Sequence, residues 1–230
     1  MVREWRPVAD PAAPPRGVVL VGGAPLGTRV LKRALTRAPR VVAADGGADH
    51  CLRHGLAPER VVGDFDSLSP AARAAFAPVA RHVPEQDSTD FEKALRGLAA
   101  PFAIGVGFLG ARIDHALAAF SHLAERGHGA APVILLSAHD CVALLPARIG
   151  LEVARGSRVS LWPLGPARLR SEGLRWPLDG IRLDPAGRVG TSNRATGPVR
   201  LWCEGPCLLL LPPAGLDALG RGLGFAAPRD

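Results

Sequence analysis

Between residues 18 and 145 the sequence alternates short apolar runs with stretches of helical period, and few architectures accept that alternation. The runs fall at residues 18–22, 41–44, 60–62, 81–83, 102–106, 133–137 and 141–145. Helices are predicted between them over residues 26–37, 48–54, 70–76, from 90 onward, and 113–127. Two of the starts are written in capping chemistry. Ser69-Pro70 places serine at the N-cap and proline at the first helical position. Thr89-x-x-Glu92 forms a capping box ahead of a helix with Phe91, Leu95 and Leu98 on one face. In the last helix Ile113, Leu117, Phe120 and Ala124 mark the apolar stripe. Strands and helices in this order predict an open, mostly parallel α/β sheet flanked by helices.

The texture changes near residue 147. Short apolar runs at 159–162, 199–202 and 208–211 are then separated by Gly, Pro and Asn turns, with no useful helical period before the tail. This predicts a smaller C-terminal all-β sandwich. The expected division is a loose lead-in over residues 1–17, an α/β unit over 18–146 and a β unit over 147–230.

The totals narrow the function classes. A 47% apolar share belongs to a folded chain, and no apolar run reaches the ~18 residues of a membrane span. The first 17 residues lack the apolar core of a signal peptide, so a cytoplasmic protein is expected. The four cysteines have neither the number nor the spacing of a zinc site or disulfide framework, and are read as structural. His50 and His54 read as surface histidines. The net charge of +7 invites nucleic acid. However, 26 of the 28 basic residues are arginines scattered along the chain, and tyrosine is absent. Stacking platforms are therefore scarce, and an anionic small molecule fits the charge better.

Two glycine patterns resemble phosphate-binding loops and fail on detail. Gly22-x₄-Gly27-Thr28 lacks the lysine of a P-loop. Gly105-x-Gly107-x-x-Gly110 lies between a strand and a helix, but Asp114 opens that helix where a pyrophosphate needs a positive end. The stronger pattern is a set of carboxylates at strand ends. Asp45 follows the second run, Asp64 and Asp66 the third, Asp87 and Asp90 precede a helix, and Asp114 follows the fifth run. Each has a bland reading as a turn residue or helix-end charge. In a parallel sheet, however, these edges lie together and would collect the acids on one rim. Converging carboxylates suit a hard cation such as Mg²⁺ beside a phosphate, with Arg112 as a further positive group.

The ordered blocks Asp45-Gly-Gly-Ala-Asp-His50, Gly63-Asp-Phe-Asp-Ser67, Gln86-Asp-Ser-Thr-Asp90 and Gly110-Ala-Arg-Ile-Asp-His115 resemble the thiamine pyrophosphokinase family. Gly173-Leu-Arg-Trp-Pro-Leu178 and Thr191-Ser-Asn193 extend the resemblance, which covers about residues 18–212. It implies a homodimer with shared sites that moves the terminal diphosphate of ATP to the thiamine hydroxyl and releases AMP. It implies Asp64, Asp66 and Asp90 as the Mg²⁺ site, with Asp45, Gln86, Arg112 and Asp114 around the nucleotide and the reacting groups. Trp176, Ser192 and Asn193 would face thiamine, Trp176 from the partner subunit, its ring suited to a cationic thiazolium. Two positions depart from the family pattern: Ala111 stands for a glycine, and Asp49 for an asparagine. A diphosphokinase for another heterocycle such as a pterin, and a non-catalytic nucleotide or thiamine sensor, remain alternatives.

Overall fold

A computed structural model of the chain describes residues 17–225. The expected lead-in therefore lies, apart from Gly17, outside the described residues. Six strands pair in parallel: β1 (Val18–Val21), β2 (Arg40–Ala44), β3 (Arg60–Gly63), β4 (Ala80–His82), β5 (Ala103–Val106) and β6 (Val133–Leu136). Their order is β4-β3-β2-β1-β5-β6. The central four-residue strands are apolar on both faces because both are covered. Val19 and Val21 of β1 pack with α1 (Thr28–Leu35), α2 (Gly47–Arg53) and α3 (Pro70–Phe76). Val18 and Leu20 pack with α4 (Asp90–Leu95) and α5 (Ile113–Arg126). The strand order reverses between β1 and β5, so the carboxyl ends of the strands near that crevice are where a ligand is expected.

From β7 (Cys141–Leu144) onward pairing is antiparallel. Chain order gives no sign of the next step. β13 (Cys207–Leu211) returns from near the end of the sequence to pair with β7, and β9 (Arg158–Pro163) pairs with β13. The sheet thus runs from the parallel half into the C-terminal β domain without an edge between them. The fifteen-residue β12 (Gly190–Glu204) pairs first with β9. It then pairs with β10 (Ala167–Leu174) and β8 (Arg148–Leu151), while β11 (Ile181–Leu183) lies outside β10. Leu161 and Leu209 share one core with Ile149, Leu169, Leu183 and Leu201, as two facing layers should. A short α6 (Leu216–Gly222) follows.

The expected fold class is present: a helix-flanked, largely parallel sheet and a C-terminal β domain. Local corrections concern two helices. α4 ends at Leu95, leaving Leu98 beyond it. In α5, Ala119 and Leu123 are buried, whereas Ile113 and Leu117 are 76% and 55% exposed. Small alanines let the helix approach the sheet on that face, and the larger side chains are left on the adjoining one.

Candidate active site

The loop after β3 carries two carboxylates, and its geometry depends on the residue between them. Phe65 adopts a left-handed backbone, φ 66°, while its ring stays buried. That kink lets Asp64 and Asp66 converge where an extended strand would have opposed them. Gly63 is not among the glycines with left-handed backbone, and its role is clearance. A Cβ there would lie 2.8 Å from the Asp45 Cβ. One oxygen from each of Asp45, Asp64 and Asp66 falls within 4.8 Å of the others.

The far end of the loop is tied to α2 and to Asp45 just before it. The Ser67 amide donates to Asp45 Oδ2 at 3.3 Å, and the Ser69 amide and hydroxyl donate to Asp49. Asp49, the departure from the family asparagine, is thus engaged in bracing the loop. Ser69 also accepts from the Ala72 amide, making it the N-cap foreseen for α3. Arg73 donates to the Phe65 carbonyl at 2.7 Å and holds the kink from α3. His50 is buried, not on the surface as expected, with Nε2 3.0 Å from the Ala24 carbonyl in the glycine-rich loop after β1.

Asp45 is the most constrained acid. It is 3% exposed, has φ 41°, and its Oδ1 has no hydrogen-bond partner among the described residues. Burial raises its pKa above the usual carboxylate range, and Asp66 and Asp64 add repulsion. Asp90, the first residue of α4, is pushed up to about 6, chiefly by burial and then by the charge of Asp45. Gln86 donates to Asp64 Oδ2 at 2.9 Å and, as the largest effect, holds that acid low. A set of hard oxygens with an orphaned buried atom and mutually repelling charges fits a divalent cation. The four acids and Gln86 therefore form one neighbourhood, although Asp90 lies outside the tightest trio.

Arg112 and Asp114 make their side-chain ion pair with each other and not with the acid group. It is a two-point pair, Nη2 to Oδ2 at 2.6 Å, and both residues are exposed. Arg112 holds the Asp114 carboxyl below its ordinary range. Ala111, the other departure, is absent from the residues with left-handed backbone, so its methyl is accommodated.

In the β domain, Trp176 is 51% exposed, which rules out a core role. Asn193 is buried and clamps it, donating to the Trp176 carbonyl at 2.6 Å and accepting from its amide at 3.2 Å. Ser192 has φ 63°, and its amide donates to Ser160 Oγ. These blocks face each other at a bulge where Gly173 is required: φ is 75° and a Cβ would lie 2.0 Å from the Pro198 carbonyl oxygen. The Arg175 guanidinium covers one face of the Trp176 ring at 5.0 Å.

Lys93 escaped the sequence reading. It is 4% exposed on α4, with Nζ 3.9 Å from Asp90 Oδ1. The available signal was compositional, since the chain has only two lysines.

A helix-flanked parallel sheet with acids on its carboxyl rim, continued into a β domain, is an open α/β architecture of the class that binds its ligand at the carboxyl edge of the strands. Family profiles make this specific. "Thiamin pyrophosphokinase, catalytic domain" matches residues 31–135, and "Thiamin pyrophosphokinase, vitamin B1 binding domain" matches residues 148–207. The chain belongs to the thiamin pyrophosphokinase family, enzymes that transfer diphosphate to thiamine. Solved structures share the fold. Thiamin pyrophosphokinase from Candida albicans is 17% identical with a TM-score of 0.75, covering 86% of this chain and 89% of its own. The Geobacillus thermodenitrificans enzyme is 22% identical, TM-score 0.72, covering 85% and 96%. That of Bacillus subtilis is 18% identical, TM-score 0.73, covering 86% and 98%. Among the described residues no helix is long and apolar enough to cross a membrane.

Proposed function

We propose that the enzyme makes thiamine diphosphate from thiamine and ATP with Mg²⁺, releasing AMP. The observation that carries this reading is the charge frustration of the acid group. Asp45 keeps an unpartnered buried oxygen, and Asp90 is pushed up to about 6 by burial and then by the charge of Asp45. Asp64 and Asp66, with Asp45 completing the trio and Asp90 at its edge, would hold Mg²⁺. When bound, the ion offsets the triphosphate charge and polarises the attacked phosphoryl group.

The protein's own contribution is placement. The thiamine oxygen attacks the β-phosphorus in line, its bond to phosphorus forms, and the bond to the α–β bridging oxygen breaks. The hydroxyl proton leaves to solvent or a rim carboxylate. Asp114, ionised beside Arg112, positions that guanidinium against the phosphates and is a poor base. Gln86 orients Asp64. Trp176 stacks thiamine on the ring face left open by Arg175, with Ser192 nearby and Asn193 fixing the tryptophan backbone.

Residues 18–146 would act as the nucleotide unit and residues 147–230 as the thiamine unit, within a cytoplasmic homodimer. Strand order supports the dimer. Six strands lie between β2 and β12. The seven steps of ~4.8 Å amount to about 34 Å along the sheet, which favours a site completed by the Trp176 of a second chain over one completed within a chain. The exposed Ile113 and Leu117 add an uncovered apolar face.

The test is a reaction of purified protein with ATP, Mg²⁺ and thiamine, followed by separation of nucleotides. AMP and thiamine diphosphate should accumulate in equal amounts. Stoichiometric ADP would overturn the reading.

A further inference from the structure

We propose that Lys93 is a positioning residue of the diphosphate transfer, a fixed internal cation standing on the Asp90 side of the acid group where a second divalent ion would otherwise sit. The inference rests on the reading of the acids given above and specifies how many cations they take. Among the described residues Lys93 is the only buried one with a basic side chain other than His50. Burying such a group is costly unless an opposite charge faces it, so its place is unlike that of a surface lysine.

Chemistry explains why lysine stands here in a chain that otherwise uses arginine. The sequence has 26 arginines, and its other lysine, Lys32, is exposed on α1. A guanidinium is a wide planar fork, whereas an ammonium is a compact point charge of roughly ionic dimensions. Lys93 lies one helical turn after Asp90, and its neighbours Phe91, Ala94 and Leu95 are buried in the apolar layer beneath α4. Nothing else on α4 could bring a cation to this side.

The acids divide unequally. Asp45, Asp64 and Asp66 bring oxygens within 4.8 Å of one another and form the set able to grip one ion. Asp90 is not of that set and has Lys93 at 3.9 Å, beyond hydrogen-bond reach but within Coulombic range. The field of Lys93 also reaches Asp64. Four acids therefore face one divalent ion and one ammonium, and a second protein-held ion at Asp90 is repelled. Any further metal ion must arrive on the nucleotide.

Mn²⁺ titration by calorimetry, without nucleotide or thiamine, tests this on the full-length protein. The wild type should bind one equivalent. Lys93→Met, similar in length and uncharged, should bind a second equivalent or hold the first about tenfold tighter. It should also lose turnover by about a hundredfold at unchanged thiamine KM, because the cation is now misplaced. Lys93→Arg should keep the wild-type stoichiometry. A lysine that merely fills space would alter thermal stability and leave Mn²⁺ binding untouched, which overturns the proposal. So does a wild type that binds two equivalents, a result that needs no variant to fold. Because no substrate is present, a failure of the ATP–thiamine reaction would be read separately.

Discussion

Asp45 is held against its own preferences twice over, by a left-handed backbone and by a buried, unpartnered oxygen. A non-glycine residue in that region costs about 1–3 kcal/mol, and an unsatisfied buried group adds to it. Such costs persist where the surroundings enforce them. The other two non-glycine residues with left-handed backbone are Phe65 and Ser192. All three fall inside blocks singled out from sequence as chemical. Asp45→Asn should relieve the repulsion, since an amide can donate to the neighbouring acids. In the absence of divalent ions the variant should melt about 2–4 °C higher, equivalent to ~1 kcal/mol, while activity falls at least a hundredfold. Differential scanning calorimetry and an assay decide it. A variant that is both less stable and fully active would contradict the role given to this acid.

At the scale of elements, the helices are set as much by ties to distant partners as by their own periods. Arg37, just after α1, makes a two-point ion pair with Asp217 in the first turn of α6, Nη2 to Oδ2 at 2.8 Å. Hydrogen bonding from Arg37, the largest effect, holds the Asp217 carboxyl below its ordinary range. A depressed acid stabilises the fold above its unfolded pKa of ~3.9, and that contribution is lost as pH falls through the lower folded value. Asp217→Asn should therefore cost stability at pH 7, by no more than about 1 kcal/mol because the pair is half exposed. Urea unfolding at pH 7 and at pH 3 measures it, and the gap between variant and wild type should shrink in acid. A constant gap would mean that charge is not the cause.

Elements also show what sequence can and cannot tell. The Ser69 and Thr89 caps were legible because capping is local chemistry, and both side chains accept the expected amides. The buried stripe of α5 was misassigned because two adjoining faces carry apolar residues, and only the sheet beneath chooses between them. Asp64 and Asp66 could be picked out by spacing, but the kink at Phe65 that joins them could not, since nothing in phenylalanine signals positive φ. Lys93 was passed over for a similar reason. In a six-residue helix covered on nearly every side, period carries little information about what is buried.

For the whole molecule, the strand order, with six strands between β2 and β12, is what bears on the proposed dimer. If two chains complete each site, two inactive variants should rescue one another. Asp66→Asn lacks an acid of the rim, and Trp176→Ala lacks the exposed ring. Mixed under subunit exchange, they should recover up to about a quarter of wild-type activity, as expected for one intact site in each mixed dimer. Chromatography of the mixture confirms that mixed dimers formed. Mixed dimers without activity would place both halves of the site in one chain.

The return of β13 to pair with β7 and β9 has a consequence for how the chain is made. During vectorial synthesis, β7 leaves the ribosome before any of β8 to β12, and its apolar free side waits for a strand encoded after all of them. Until then the half-finished protein presents an open β edge, the geometry that invites pairing with another nascent chain. A premature stop just upstream of Cys207 would therefore remove an interior strand of the sheet, not trim a tail. Such fragments are expected to be cleared by quality control or to clump, and to supply neither half of the enzyme.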